Sequence, residues 1–322
     1  MTKNTYVIDI EAGTRINDVF LVTEKNMAVS QKGAPYLNLK LQDKTGQVDG
    51  RVWDNAKEMT ELFQKGDVIH IKARAVKYRD AVQLAITQIE TLADSAIEPE
   101  EYSPSSRYDL ETMFVELMEI VDTIETPALR DLLQLILGDE ELAYLFKRAP
   151  AAKGLHHSYI GGLLEHTLSV TRLLSAAAAH YPDLNRDLML TGGILHDIGK
   201  IYELSFKKLI DYTDRGRLIG HIVLGVELID AKIPMIEDFP EALALELRHI
   251  LLSHHGVLEY GSPKRPKTLE AVIINMIDDL DAKVNAFREF MEVSPDNNSN
   301  WTPYHRLFER FIYKGSSLES DE

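Results

Sequence analysis

The period of the hydrophobic pattern changes once along the chain, and this change constrains the fold more than any other feature. Between residues 13 and 92, apolar and polar residues alternate, which is typical of half-buried β-strands. After residue 107, apolar residues recur every three to four positions, as in amphipathic helices. Residues 93–107 between the two patterns are rich in Pro, Ser and Glu and are predicted to be a linker. The length of 322 residues is enough for about two domains.

The alternating part predicts a small barrel over residues 1–92. Strands are expected at residues 17–22, 36–41, 48–53, 68–73 and 81–86. The turn at residues 44–46 joins the second and third strands into a hairpin, and Asp54 is expected to cap a short helix that follows. Five short strands with a helix between the third and fourth form the arrangement of an OB-fold barrel.

The helical part predicts an all-α bundle over residues 108–315. Eight helical segments are expected between residues 111 and 290, and residues 316–322 are expected to form a flexible acidic tail. The predicted fold class is therefore multidomain, with a small all-β OB-fold barrel followed by an all-α helical bundle.

Charge is distributed unevenly between these two parts. The net charge is −16, yet residues 1–92 contain 13 Lys and Arg against 12 Asp and Glu, which leaves 22 against 39 for the rest. A polyanion would therefore bind first to the front part. The absence of cysteine excludes disulfides and thiolate metal sites. No run approaches the ~20 apolar residues of a membrane span, so a soluble cytoplasmic protein without a membrane partner is expected.

The doublet His196–Asp197 closes an apolar, glycine-containing helical stretch. Burying these two polar groups is costly, and a metal ion compensates the cost by making both of them ligands. Neighbouring helical residues point about 100° apart, so both reach one ion only near a helix end that another helix crosses closely. Gly192 and Gly193 permit such a crossing, and Gly199 is expected to cap the helix. The chain supplies further candidate ligands at His166, His221, His254, His255 and Asp278.

Seven candidate ligands exceed the needs of one ion, and two ions bridged by Asp197 would use all of them. Two ions ~4 Å apart activate water and stabilise both the attacking and the departing oxygen of a phosphate ester. Asp197 and Lys200 are the candidate catalytic residues, with Lys200 neutralising a phosphate oxygen. Asp281 lies on the helical face of Asp278 and is expected to orient a ligand histidine. His156 and His157 are expected either to contact a substrate phosphate or to be an exposed pair at the start of a helix, and the second interpretation is favoured.

One face of the predicted barrel suits single-stranded nucleic acid. Alternation directs aromatic, cationic and amide side chains of the hairpin outward, and such a mixture stacks bases and pairs with phosphates. The candidate contacts are Tyr36, Asn38, Lys40, Arg51 and Trp53, with Lys72 and Arg74 on the next strand and Tyr78 and Arg79 in the following loop. An ordinary solvated face, with Trp53 packed on the following helix, is the alternative.

The order of His166, His196–Asp197 and Asp278 resembles the HD superfamily of metal-dependent phosphohydrolases. His221 and His254–His255 resemble its two-metal branch. Together with residues 161–167 and 254–263 and the barrel in front, the chain resembles YhaM-type 3′→5′ exoribonucleases, which join an OB-fold to an HD domain. This resemblance implies one ion held by His166, His196, Asp197 and Asp278, and a second held by Asp197, His221, His254 and His255.

The expected function is metal-dependent 3′→5′ hydrolysis of single-stranded RNA to nucleoside 5′-monophosphates, with single-stranded DNA as a further substrate. The direction and the RNA preference rest on the resemblance alone. Imidazole and carboxylate ligands suit Mn²⁺, the expected ion, as well as Fe²⁺, Zn²⁺, Ni²⁺ or Co²⁺. Two alternatives stay open: a phosphohydrolase of small nucleotides, and a nucleic-acid-binding factor with a structural HD domain. The aromatic segment 301–313 suggests a homo-oligomer or a lid over the site.

Overall fold

A computed structural model describes residues 3–30, 33–78, 81–92, 101–153, 157–206, 209–293 and 299–315. The chain forms two compact units, one of Met1–Arg107 with Leu204–Tyr212 and one of Tyr108–Glu203 with Thr213–Glu322. Within the described ranges, every helix is too short or too polar to cross a lipid bilayer. The predicted tail 316–322, residues 93–100 of the predicted linker, His156 and Arg79 lie outside the described residues.

The first unit is a closed barrel of five strands in the order β1-β2-β3-β5-β4. The strands are β1 (Arg15–Val29), β2 (Pro35–Asp43), β3 (Gly46–Val52), β4 (Val68–Tyr78) and β5 (Ala81–Thr91), with helix α1 (Ala56–Glu61) between β3 and β4. The β3–β5 pair is parallel and the other neighbours are antiparallel. The OB-fold barrel predicted from the alternation is confirmed.

Alternation fills the barrel as expected, because Leu37, Leu39 and Leu41 of β2 all point inward and are buried. Gly50 of β3 leaves room for Ile86, whose Cδ1 would lie 2.7 Å from a Cβ at this position. One local prediction is wrong. Helix α1 begins after Asn55, which has φ 54° and makes no side-chain cap, so Asp54 does not cap it.

The second unit is helical. Its helices are α2 (Leu110–Asp122), α3 (Pro127–Leu137), α4 (Glu140–Arg148), α5 (Gly162–His180), α6 (Arg186–Leu195), α7 (Lys200–Glu203), α8 (Asp214–Ile219), α9 (His221–Lys232), α10 (Glu241–Ser253) and α11 (Leu269–Val293). The predicted helices are present. A short hairpin of β6 (Leu204–Ser205) and β7 (Asp211–Tyr212) lies between α7 and α8 in the sequence, so this part of the chain is not entirely α-helical. The hairpin groups with the barrel unit.

Helix α6 occupies the centre of the helical unit and packs against α3, α5, α10 and α11. Its start is fixed by Asn185, whose side chain accepts a hydrogen bond from the backbone N–H of Leu188. Gly192 and Gly193 permit the close packing predicted for them, because a Cβ on Gly192 would lie 2.8 Å from Ile250 and one on Gly193 2.2 Å from Leu174. The doublet at the end of α6 is consequently carried into the interior.

Gly199 has a different role from the cap that its position suggested. Helix α6 ends at His196, and Gly199 is not in the left-handed conformation of a capping glycine. A Cβ on Gly199 would instead lie 2.0 Å from the carbonyl oxygen of His221 and 2.6 Å from the backbone nitrogen of Gly225. The missing side chain therefore lets α9 approach the doublet.

Candidate metal centre and nucleic-acid face

Asp197 lies at the centre of the predicted ligand cluster. Its Oδ1 is 3.5 Å from Nε2 of His221 and 3.5 Å from Nε2 of His254. All three atoms are buried, and none has a hydrogen-bond partner within the described part of the chain. His255 completes this group, in which the ligand atoms all lie within 4.8 Å of one another. Buried polar atoms without partners are rare, and a shared cation would satisfy all three.

The other carboxylate oxygen of Asp197 belongs to a second group. Its Oδ2 is 3.4 Å from Nε2 of His196 and 3.7 Å from Nε2 of His166. Asp278 contributes Oδ1, which is 3.2 Å from Nε2 of His166. The structure thus brings all seven sequence-predicted ligands together, as two groups that share Asp197.

Each candidate ligand histidine has its Nδ1 engaged by an acceptor, so that Nε2 faces the cluster. Carbonyl oxygens at 2.7–2.9 Å accept from His196, His254 and His255. Carboxylates accept from the remaining two, with Asp281 at 2.8 Å from His166 and Glu203 at 3.0 Å from His221. Because these oxygens only accept, Nδ1 carries a proton in every protonation state of the ring, and Nε2 is the atom left for a metal ion. The rings are therefore oriented as ligands.

Burial and neighbouring charges shift the pKa values of several residues in the cluster. Burial raises the pKa of Asp197 and Asp278, but neighbouring cations outweigh it and hold both pKa values well below their usual range. Burial lowers the pKa of His196, yet the carboxylates of Asp197 and Asp278 dominate and raise it to about 10. Burial lowers the pKa of His254, which favours its neutral form. The carboxylates are thus ionised and available to cations.

Lys200, the second candidate catalytic residue, contacts the shared carboxylate. Its Nζ donates to Oδ2 of Asp197 at 2.5 Å, and its side chain is largely buried. Lys200 also lines a cavity beside the cluster together with Asp197, His255 and Asp278. The side chain of Lys200 therefore lies both against the shared carboxylate and at the cavity.

Asp281 contacts a ligand histidine, as expected from its face of α11. Its Oδ2 accepts from His166, and the hydroxyl of Ser169 donates to its Oδ1. The prediction that His157 is exposed is wrong, because His157 is 3% exposed and its Nε2 lies 3.3 Å from Oδ2 of Asp281. The left-handed backbone of His157, with φ 55°, turns the side chain inward.

Sequence reasoning missed two further residues that support the ligands. Glu203 accepts hydrogen bonds from both the backbone N–H and Nδ1 of His221, each at 3.0 Å. Asn275 donates from Nδ2 to the carbonyl oxygen of His254 at 2.7 Å. Asn275 lies three residues before Asp278 on α11, a spacing that puts both on one helical face. No sequence pattern indicated the role of Glu203, because its partner His221 is 18 positions away.

The donor set fits divalent metal ions. Buried imidazoles whose Nε2 atoms face ionised carboxylates, without sulfur, suit divalent first-row metals. The three unpartnered atoms around Oδ1 of Asp197 are the observation that calls for a cation. The candidate ligands form two groups that share the carboxylate of Asp197.

The barrel unit carries an aromatic cluster on its outer surface. Tyr36 and Trp53 stack with ring centroids 4.6 Å apart and planes at 27°. The guanidinium carbon of Arg51 lies 5.2–5.8 Å from the ring centroids of Tyr36, Trp53 and Tyr78. Trp53 is 48% exposed and stacks on Tyr36. A base cannot enter between rings this close, so it would stack on their exposed face.

The remaining candidate contacts differ in their surroundings. Asn38 pairs with Arg51 across β2 and β3, next to the aromatic cluster. Arg74 is exposed and is separated from Arg51 by one strand, because both pair with Ala85 of β5. Lys72 is also exposed, on the same strand as Arg74. Lys40 lies 3.3 Å from Glu24 and opposite Asp49, so neighbouring carboxylates offset its charge.

Comparisons with known families agree with both units. The family model described as "HD domain" matches residues 163–283. The model described as "OB-fold nucleic acid binding domain" matches residues 21–92. The ligand cluster and the aromatic cluster therefore lie within segments that match these two families.

Similar proteins match over nearly the whole chain and are named "3'-5' exoribonuclease YhaM". The relative from Geobacillus sp. (strain WCH70) is 32% identical, covering 89% of this chain and 88% of its own. The relative from Listeria welshimeri is 34% identical, covering 87% and 88%. The relative from Bacillus subtilis (strain 168) is 31% identical, covering 88% and 89%. With identity of 31–34% over 87% or more of this chain and of each relative, the chain belongs to the YhaM family.

Proposed function

We propose that the protein is a metal-dependent 3′→5′ exoribonuclease that hydrolyses single-stranded RNA to nucleoside 5′-monophosphates. The observation that carries the proposal is the convergence of Oδ1 of Asp197 with Nε2 of His221 and Nε2 of His254, all buried and without hydrogen-bond partners in the described structure. The names of the relatives supply the polarity and the RNA substrate. Single-stranded DNA is a further proposed substrate.

Two divalent ions, with Mn²⁺ as the proposed metal, would be held by the helices of the second unit through the two ligand groups. His166, His196, Asp197 and Asp278 would hold one ion, and Asp197, His221, His254 and His255 the other. When bound, such ions activate water and stabilise charge on the oxygens of a phosphodiester. The protein contributes fixed ring orientations, since each Nδ1 is already engaged.

Lys200 and the barrel are proposed to act on the substrate itself. The Nζ of Lys200 would neutralise a non-bridging phosphate oxygen while its bond to Asp197 keeps it in position. On the barrel, Trp53, Tyr36 and Tyr78 would stack bases, and Arg51, Asn38, Lys72 and Arg74 would contact the backbone. Lys40 and Arg79 are proposed as further contacts with the strand. The near-neutral charge of residues 1–92 predicts modest, salt-sensitive binding.

Oligoribonucleotides labelled at either end test the proposal. With Mn²⁺ present, a 5′-labelled strand should shorten stepwise, and a 3′-labelled strand should release its label at once as a mononucleotide. Asp197→Ala should abolish hydrolysis and leave the fold and RNA binding intact. Internal cleavage before end shortening would contradict the proposed polarity. RNA binding without hydrolysis, with every divalent ion tried, would favour a binding factor with a structural HD domain.

A further inference from the structure

A cavity of about 610 Å³ adjoins the ligand cluster, and apolar side chains line part of it. The metal-ligand candidates His166, Asp197, His255 and Asp278 line it together with Val257, Tyr260 and Met276. Tyr260 is 72% exposed and Met276 is 64% exposed. Large apolar side chains exposed beside charged groups in one cavity are typical of a ligand site. The volume is within the range of about 300–1,000 Å³ that small-molecule sites occupy.

Tyr260 is held in a defined position. It ends the 3₁₀ turn Leu258–Tyr260, in which its N–H bonds to the carbonyl oxygen of Val257 at 3.2 Å. Gly261 follows with φ 84°, a conformation that favours glycine and closes the turn. The carbonyl oxygen of Tyr260 accepts from Nδ1 of His255 at 2.9 Å. The backbone that presents the exposed ring is therefore the same backbone that orients a candidate ligand.

The loop that carries Tyr260 is locally basic. Residues 93–322 are acidic, with 22 Lys and Arg against 39 Asp and Glu, yet residues 257–268 contain three cations and one anion. The cations Lys264, Arg265 and Lys267 are all exposed. A polyanion approaching an acidic unit is favoured where the local charge is positive. Aromatic stacking surface and local positive charge thus coincide in one loop beside the cluster.

We propose that the ring of Tyr260 stacks on the base of the 3′-terminal nucleotide and so positions the terminal phosphodiester at the metal centre. This inference rests on the proposed exonuclease function and adds a positioning residue to it. A ring that stacks on the base and makes no hydrogen bond to its edge accepts any of the four bases, since every base has a π-face. Tyr260 therefore gives preference for a strand end that carries a base, without preference for sequence.

The test compares two variants on two strand ends. Tyr260→Ala removes the ring and keeps the carbonyl that orients His255, whereas Tyr260→Phe keeps the ring. On an ordinary 3′ end, Tyr260→Ala should lower kcat/KM by roughly 5- to 150-fold, the usual cost of one base–aromatic stack, and Tyr260→Phe should cost little. On an oligoribonucleotide that ends in an abasic residue, wild type should lose the same factor and Tyr260→Ala nothing further.

Equal losses on ordinary and abasic ends would overturn the proposal, because the effect would then not involve the base. Tyr181→Ala is the control, since Tyr181 is an exposed tyrosine of the same helical unit and is not among the residues that line the cavity. Unfolding temperature and bound-metal content should be unchanged in all three variants.

A binding measurement separates this inference from the proposed activity. With EDTA present, an oligoribonucleotide bearing 2-aminopurine at its 3′ end should be quenched on binding to wild type and Tyr260→Phe, and not on binding to Tyr260→Ala. Identical quenching in all three would overturn the role of Tyr260 even if hydrolysis is 3′→5′. Quenching that depends on Tyr260 in a protein that hydrolyses no strand would refute the exonuclease and retain the stacking site.

Discussion

At the scale of single residues, the candidate metal centre depends on the acceptors that engage its histidines from behind. His166 is the clearest case, because its Nδ1 bonds to Asp281, which also contacts His157 and Ser169. A carboxylate at Nδ1 fixes the ring and raises the basicity of Nε2. The two outer residues hold the carboxylate in turn, so the orientation of His166 is determined by three side chains from different segments.

Asp281→Asn should weaken metal binding by about 10- to 100-fold, the usual cost of losing such a supporting carboxylate. The substitution keeps the volume and removes the charge that supports His166. Titration of the metal-free protein with Mn²⁺, followed calorimetrically, measures the effect. Asp279→Asn is the control, because this substitution removes the same charge from the same helix. The side chain of Asp279 is 52% exposed and pairs with Lys283. Equal losses in both variants would show a general charge effect.

Metal affinity should rise with pH. In the metal-free protein, neighbouring carboxylates raise the pKa of His196 to about 10, and the pKa of His166 is also raised. His196 therefore carries a proton on Nε2 at neutral pH, and the raised pKa of His166 favours the same form, so an ion must displace protons to bind. Affinity should increase up to tenfold per pH unit for each proton displaced, over the range below these pKa values. Calorimetry in buffers with different ionisation enthalpies would count the protons, and a count of zero would contradict the prediction.

At the scale of elements, the centre depends on how closely helices approach one another. Helix α6 ends at the doublet, and α9 begins with His221, so the two ends must meet for both groups of ligands to share Asp197. Gly199 makes this possible, since its missing side chain leaves room for the backbone of α9. The contact is between backbones, and backbone atoms cannot move aside as a flexible side chain does.

Gly199→Ala should therefore destabilise the protein and weaken metal binding together. The added methyl group would lie 2.0 Å from the carbonyl oxygen of His221, and overpacking of this kind costs about 1–3 kcal/mol or more. Thermal unfolding in EDTA measures the first effect and Mn²⁺ titration the second.

Gly225→Ala provides the matched control for that substitution. Its Cβ would meet the nearest atom at 3.4 Å, an ordinary contact, and alanine favours the helical backbone of α9. Stability should stay level or rise in this variant. A Gly199→Ala protein that is as stable as Gly225→Ala would show that α9 adjusts without cost, contrary to the prediction.

At the scale of the whole molecule, two units carry two kinds of chemistry. The barrel presents stacked aromatic rings with a cation among them, and the helical unit encloses imidazoles and carboxylates. Binding a strand and cleaving it are thereby assigned to separate units. Substitutions in the barrel should consequently reduce the binding and hydrolysis of long strands more than those of short ones.

Trp53→Ala should weaken binding of long single-stranded RNA by roughly 5- to 150-fold and leave hydrolysis of a dinucleotide unchanged. The reason is that a stacking surface of the barrel is lost while the metal centre is intact. Fluorescence anisotropy measures binding, and rates on strands of graded length measure the consequence. Trp301→Ala is the control, because Trp301 is the other of the two tryptophans in the sequence. It is 53% exposed and contacts Tyr313, so its surroundings are similar to those of Trp53. Unchanged cleavage of long strands would favour a phosphohydrolase of small nucleotides.

The predictions from sequence succeeded where local pattern determines structure. Alternation in residues 36–41 was enough to assign an inward face of β2, because the side-chain period of a strand is two. Gly199 and His157 were misread for the opposite reason. Each was interpreted from its immediate neighbours, whereas its role depends on a contact with α9 or α11, far away in the sequence.

Local patterns in the sequence were enough to predict the five barrel strands, the eight longer helices of the second unit, their order and the residue types of a thiol-free ligand set. These follow from local periodicity and from side-chain chemistry, which need no distant partner. The packing of the helices was needed to show that Asp197 joins two ligand groups, that Glu203 supports His221, and that Tyr260 is exposed beside the cluster. Such relations depend on which helices pack together, and packing is fixed by contacts between residues remote in the chain.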